Sequence, residues 1–245
     1  MLIAGLPPVL LLDLDDTILR FTAGQPNFWQ LALEQHLPDR NDHERLFARI
    51  DAVSREFWGQ AERAFWGRQN MQEARRRITL AALASESVSL DLCQRIADDM
   101  TEWKESSVRP FDGALETLQL LRERGHKLAL LTNGSAAFQR RKLARYTLEP
   151  LFELVLIEGE LGYGKPDPRV FRAALAHFAI EPHQALMVGD NLDADIAGAR
   201  QVGIAGVWHD AHGTGLPALS HVVPERVIQR LSELIGEQAR SHLTT

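Results

Sequence analysis

Apolar positions along the chain fall into two rhythms. Five short apolar runs read as strands buried on both faces: Val9–Leu14, Lys127–Leu131, Leu154–Ile157, Ala185–Val188 and Ile204–Trp208. From Gly113 onward these runs alternate with stretches of helical period: ALETLQLLRERG, SAAFQRRKLARYTL, RVFRAALAHFAI, ADIAGARQVG and PERVIQRLSELIG. The first of these closes on Gly125, a residue suited to a helix C-terminus. Strand–helix alternation predicts an α/β protein: a doubly wound parallel sheet with helices on both faces.

Residues 20–108 break that rhythm. FWQLALEQHL, HERLFARIDAVSREFWGQAERAFWG, MQEARRRITLAALA and LDLCQRIADDMTEWKE all carry helical spacing, with no strand pattern between them. The spacing predicts an all-helical insert between the first strand and the second, leaving 1–19 and 109–245 as the α/β core. Four of the five tryptophans, Trp29, Trp58, Trp66 and Trp103, fall in the insert. Neither a repeat nor a low-complexity tract is present, and ARSHLTT at the end reads as a frayed terminus.

Composition narrows the function classes. At 245 residues, 45% of them hydrophobic, the chain can bury a large core in one or two domains. A net charge of −6 argues against binding a nucleic-acid polymer. The Arg75–Arg76–Arg77 run is expected to be a solvated helix face. A single cysteine, Cys93, excludes an intrachain disulfide, fits a reducing compartment, and at its helical position reads as a buried apolar residue. No apolar run reaches the ~20 residues of a membrane span, and MLIAGLPPVLLLDLDD lacks the basic leader of a secretory signal. A cytoplasmic location without membrane partners is the expectation.

Against this ordinary background VLLLDLDDTIL stands out, because three carboxylates interrupt an apolar run. Buried carboxylates are costly unless something pairs with them. In an open parallel sheet, ligands bind beyond the carboxyl ends of the strands. Asp13, Asp15 and Asp16 lie there after the first strand, and residues i and i+2 of an extended chain, Asp13 and Asp15, point the same way. Thr132, Asn133 and Gly134 follow the second strand, GYGKPDP with Lys165 follows the third, and GDNLDAD with Asp190, Asp193 and Asp195 follows the fourth. Carboxylates from two strands can hold a hard cation such as Mg²⁺. A lysine and a helix N-terminus can hold a phosphate beside it. Together they compose a phosphoryl-transfer site.

In order, DLDDT, LLTNG, GKPDP and VGDNLDAD resemble the four motifs of the haloacid dehalogenase-like hydrolases, with the phosphatase signature DxDxT complete at Asp13, Asp15 and Thr17. The resemblance spans residues 9 to about 210 and implies a Rossmann-like core with a mobile helical cap inserted after the first motif. It implies that Asp13 attacks phosphorus, and that Asp15 protonates the leaving oxygen and then activates water. Thr132, Asn133 and Gly134 would hold the phosphoryl group, with Lys165 offsetting its charge. Mg²⁺ would be held by the Asp13 carboxylate, the Asp15 carbonyl and Asp190. Asp195 and Thr17 would support these groups from behind. The implied substrate is a small phosphorylated metabolite.

The chemistry asks for the same parts. A carboxylate nucleophile and a phosphate dianion repel, so Mg²⁺ and Lys165 must both neutralise charge. A second carboxyl must serve as acid and then base, and crowding by Asp13 and Asp16 is expected to act on Asp15. Two look-alike motifs fail: GELGYGK continues into Pro166 instead of a P-loop hydroxyl residue, and DNLDAD lacks the glycine and closing glutamate of an EF-hand. His209 and His212 are expected at the surface. Within the insert, tryptophans are more often core than ligand platform; as candidates for contacting an apolar leaving group we single out Phe21, Trp29, Trp58 and Trp66. Two alternatives stand beside a nucleotidase-like phosphatase. One is a 2-haloacid dehalogenase on the same fold, whose chemistry needs neither Mg²⁺ nor Asp15. The other is a non-catalytic sensor of phosphorylated ligands. Asp16 stands where many relatives carry Gly and Asn191 where many carry Ser; both departures are expected to change little.

Overall fold

A computed structural model describes residues 2–236 of the chain. ARSHLTT lies outside the described residues. The chain divides into two compact units, Met1–Gly24 with Arg109–Thr245, and Gln25–Val108.

The first unit is built on a six-stranded sheet. In chain order its strands are β1 (Val9–Leu12), β4 (Lys127–Thr132), β5 (Leu154–Ile157), β6 (Ala185–Gly189), β7 (Ala205–His209) and β8 (Arg226–Ile228). They lie side by side as β5-β4-β1-β6-β7-β8, and every adjacent pair is parallel. All four residues of β1 are buried, as an unbroken Val-Leu-Leu-Leu run at the centre of a doubly covered sheet requires. One face packs Val9, Leu11, Ala129, Leu131 and Met187 against Phe171 and Ala174 of helix α9 (Pro168–Phe178). The chain runs from β1 outward to β4 and β5, then crosses back to β6 on the other side of β1. That reversal puts a crevice at the carboxyl ends of β1 and β6. A two-stranded antiparallel ribbon, β2 (Leu19–Arg20) with β3 (Arg109–Pro110), pairs the two chain segments that flank the helical unit.

The second unit is all helical: α1 (Phe28–His36), α2 (His43–Trp58), α3 (Ala61–Gln69), α4 (Met71–Leu83) and α5 (Leu90–Ser107). Leu33, Leu46, Ile50, Ile78, Leu83, Cys93 and Ile96 form its buried core, with Trp29, Trp58 and Trp103 packed around it. Among the described residues no helix is long and apolar enough to cross a membrane.

The structure departs from the sequence reading at several elements. PERVIQRLSELIG is not a helix: Arg226–Ile228 forms β8 beside β7, and Leu231–Ile235 is a 3₁₀ turn. The apolar spacing fits either state, and the open edge of β7 decides for the strand. The Glu233 carboxylate then accepts the N–H groups of Gln229 and Arg230, which stops the strand. The long helical run 43–67 breaks into α2 and α3 at Gly59, with Gln60 extended. The first strand ends at Leu12, two residues before Leu14. ADIAGARQVG begins inside a π-helical turn, Leu192–Ala197, that passes into the short α10 (Gly198–Arg200). Arg75 is buried rather than solvated, whereas Arg76 pairs with Asp98 and Arg77 with Glu73.

Candidate active site

Each cluster of polar residues emerges at the carboxyl end of a strand. Asp13 follows β1 and is anchored by its N–H to the Val188 carbonyl of β6 at 3.0 Å. The Asp13 carboxylate is buried and meets Lys165 Nζ at 2.5 Å, and Lys165 meets Asp195 at 2.7 Å. Thr17 Oγ1 lies 3.4 Å from the second Asp13 oxygen. Asp195 owes its position to the π-helical turn. The Asn191 side chain caps that turn by accepting the Asp193 and Ala194 N–H groups, and Asp195 Oδ2 accepts the Asn191 N–H. A Cβ added at Gly189 would overlap the Asp195 carboxylate, so the end of β6 must be glycine for Asp195 to lie against it.

Burial and like charge dominate the electrostatics. Burial pushes the Asp13 carboxyl up to about 7, with Lys165 pulling it down and Asp195 adding to the rise. Burial, then Asp13 and Asp195, push Asp190 up to about 9. Burial alone would lower Lys165, but Asp13 and Asp195 more than offset it and hold its ammonium charged. One oxygen each from Asp13, Asp190 and Asp195 lie within 4.8 Å of one another. Three carboxylates beside one ammonium leave excess negative charge in a buried site, and the donors are hard oxygens. That set fits a divalent cation such as Mg²⁺.

Beyond β4, the residues expected to bind phosphate are also held by protein groups. The Asn133 amide exchanges two bonds with the backbone of Lys165, Nδ2 to its carbonyl at 2.7 Å and Oδ1 from its N–H at 2.8 Å. Gly134 N–H donates to Glu158 Oε2 at 2.8 Å. These bonds tie the loop after β4 to the loop that carries Lys165. Gly164 fits between them, since a Cβ there would overlap the Asn133 side chain.

Asp15 is brought to a different partner than expected. Its carboxylate is held by Lys142 Nζ, 2.6 Å from each oxygen, and by Gln139 Nε2 at 3.0 Å. The Asp16 carboxylate turns away from Asp15 and accepts Phe21, Thr22 and Ala23 N–H groups and the Thr22 hydroxyl. Crowding by Asp16 is therefore replaced by pairing with a cation. The departure at Asp16 is not minor either: its backbone sits at φ 56°, where glycine is the easy choice, and its carboxylate organises the following loop. His209 is also not at the surface. It is buried, with Nδ1 2.7 Å from the Asp16 carbonyl and Nε2 3.2 Å from that of Gln229, and burial holds its ring below its ordinary pKa. Trp208 Nε1 donates to the Asp190 carbonyl at 2.6 Å.

Phe21 lies against Phe138, with ring centroids 6.0 Å apart, beside Lys142. Trp29 and Trp58 pack on the core of the helical unit. Trp66, beneath the Arg77 guanidinium, lines a cavity of about 580 Å³ in that unit with Phe57 and Ile78. Gln139, Lys142, Glu158 and Trp208 join these contacts without belonging to the sequence motifs. A signal for the first two was present: Gln139, Lys142 and Leu143 share one face of α7 (Ala136–Arg145), which starts directly after TNG, and all three are buried.

Known proteins resemble this chain in sequence and in fold. A phosphoserine phosphatase of Thermus thermophilus is 38% identical over 226 residues, 82% of this chain and 88% of that protein. The pyrimidine 5'-nucleotidase PynA of Streptococcus pneumoniae is 29% identical over 207 residues, 83% and 84% of the two chains. Among solved structures, the magnesium-bound HAD-hydrolase YfnB of Bacillus subtilis shares the fold, with a TM-score of 0.71, 24% identity, and coverage of 98% of this chain and 100% of that one. The profile of the haloacid dehalogenase-like hydrolases matches residues 8–203, so the chain belongs to that family, as a hydrolase of phosphate esters.

Proposed function

We propose that the protein is a Mg²⁺-dependent phosphatase that hydrolyses a small phosphate monoester through an aspartyl-phosphate on Asp13, with the helical unit Gln25–Val108 as its cap. One observation carries the reading: Asp13 is buried against Lys165 and close to Asp190 and Asp195, while Asp15, two residues on, is held by a separate cation. That arrangement equips one carboxylate to attack and the other to move protons.

In the first step an Asp13 oxygen bonds to phosphorus as the ester P–O bond breaks. The leaving oxygen keeps that electron pair and takes a proton from Asp15. In the second, water attacks phosphorus and gives its proton to Asp15, the bond from Asp13 to phosphorus breaks, and phosphate leaves with both aspartates restored. Lys165 and the Thr132 hydroxyl attract the phosphoryl oxygens, and Asp195 keeps Lys165 aimed at Asp13. Asn133 and Gly134 keep the loops around that position closed. The Asp13 carboxylate, the Asp15 carbonyl and Asp190 would hold Mg²⁺, which supplies charge neutralisation for the phosphoryl group.

The preferred substrate is a small phosphorylated metabolite, in keeping with the phosphoserine phosphatase that the chain resembles over most of its length. A nucleotidase-like preference is the second reading, favoured by the similarity to PynA. The single cysteine agrees with action in the cytoplasm. The test is phosphate release from phosphoserine, pyrimidine nucleotides and sugar phosphates, each with Mg²⁺ and with EDTA, for wild type and Asp13→Asn. Turnover that needs Mg²⁺ and vanishes in the variant is expected. Chloride release from 2-chloropropionate without Mg²⁺, and no phosphate release, would favour the dehalogenase; background activity in both proteins would favour the sensor.

A further inference from the structure

Asp15 must be aimed as well as present, and the structure supplies a device for aiming it. Lys142 lies on α7, in a part of the chain outside the family's four motif stretches. Its side chain is 5% exposed and that of Asp15 is 25% exposed. An ammonium has three hydrogens. Its nitrogen reaches both Asp15 oxygens at 2.6 Å, and it also lies over the rings of Phe138 at 3.9 Å and Phe21 at 4.7 Å. Two donors on the carboxylate and a third face against aromatic rings account for the whole group. Gln139, one helical turn before it, has Nε2 2.6 Å from Thr132 Oγ1, 2.8 Å from the Asn133 carbonyl and 3.0 Å from Asp15 Oδ2, so its two hydrogens are shared among these acceptors.

Lys142 Nζ lies 2.6 Å from each Asp15 oxygen, so the clamp engages both. A carboxylate rotating about its last bond would lose part of this set, so the plane of the carboxyl group is fixed. We infer that Lys142 is a positioning residue for the proton-transfer group: it clamps Asp15 by both oxygens and so fixes the direction in which its carboxyl group meets the leaving oxygen. The inference rests on the proposed phosphatase reaction and assigns Lys142 a part in it.

Two esters that differ mainly in their need for a proton provide the test. Phenyl phosphate releases a weakly acidic phenol and depends on the general acid, whereas 2,4-dinitrophenyl phosphate releases a stable anion. kcat/KM covers steps through the first phosphoryl transfer, so the ratio of the two values isolates that need from the later hydrolysis. General-acid effects reach about 100-fold or more. Lys142→Met is therefore expected to lose kcat/KM at least about tenfold more on phenyl phosphate than on the dinitrophenyl ester, and Lys142→Arg, which keeps a cation, is expected to restore the ratio. Equal losses on the two esters in Lys142→Met overturn the inference while leaving the phosphatase reading intact. Absence of Mg²⁺-dependent turnover of either ester by wild type overturns both. Should Lys142→Met not fold, Lys142→Gln is read by the same ratio.

Discussion

Asp16 offers a prediction that separates backbone conformation from hydrogen bonding. It sits at φ 56° with its side chain buried, and its carboxylate accepts four bonds of 2.6 to 3.0 Å from residues 21–23. Three of these, from the Phe21, Thr22 and Ala23 N–H groups, converge on Oδ1; the Thr22 hydroxyl uses Oδ2. Asparagine keeps Oδ1 and tolerates the left-handed backbone, and the Thr22 hydroxyl can turn to accept from its amide. Asp16→Asn therefore exchanges charge-assisted for neutral bonds and should cost about 1 kcal/mol. Glycine keeps the backbone at ease but strips the loop of its acceptor. Bonds to a charged group are worth about 1.5–3 kcal/mol each, and water replaces part of that as the loop opens, so Asp16→Gly should cost ~3 kcal/mol. Alanine loses the same bonds and adds about 1 kcal/mol of left-handed strain. Denaturant unfolding of the four proteins should rank them Asp, Asn, Gly, Ala. For a chain of this size ~3 kcal/mol corresponds to roughly 6–12 °C in midpoint, so the order is also readable by heat. A Gly variant as stable as wild type would refute the reasoning, because conformation alone would then explain the residue; an Asn variant as weak as Ala would refute it from the other side.

Two further predictions concern the acidic cluster. Asp13 and Asp190 are both raised from 3.8 in the fold, to about 7 and about 9. A raised carboxyl favours folding below its unfolded value, and that contribution is lost as pH climbs toward the folded one. The metal-free protein should therefore lose stability between about pH 4 and 9 from these groups, and the increase in Tm on adding Mg²⁺ should be larger at pH 8 than at pH 5; an increment that is flat or falls with pH contradicts the assignment. Gly189→Ala should drive Asp195 off the end of β6 and release Lys165, lowering kcat/KM at least about tenfold with a smaller change in unfolding midpoint; wild-type kinetics would show that Asp195 does not need that close approach.

Much of the molecule is legible in its residue order. Buried parallel strands announce themselves because both faces are covered, so Val9–Leu12 or Ala185–Gly189 need only be apolar throughout. The acids of DLDDT and DNLDAD are visible because carboxylates conflict with such a run, and the carboxyl end of a strand is the place where the conflict is useful. Helical spacing in most of residues 28–107 needs no long-range information either, since α2, α4 and α5 show their apolar stripes locally, whereas the break between α2 and the weakly patterned α3 does not show in the spacing.

What the tertiary structure decided is which polar groups are partners. Lys142 and Asp15 lie 127 residues apart, and Lys165 and Asp13 152 apart. A charge has no preferred partner in a linear sequence, because electrostatic pairing depends on distance in space and on how much water the fold removes. The same holds for Arg226–Ile228, whose apolar spacing suits helix or strand until the free edge of β7 offers hydrogen bonds. Local sequence determined where the acids stand; only packing decided that one is clamped by a lysine from α7, one shares an ammonium with Asp195, and one spends its charge on a loop.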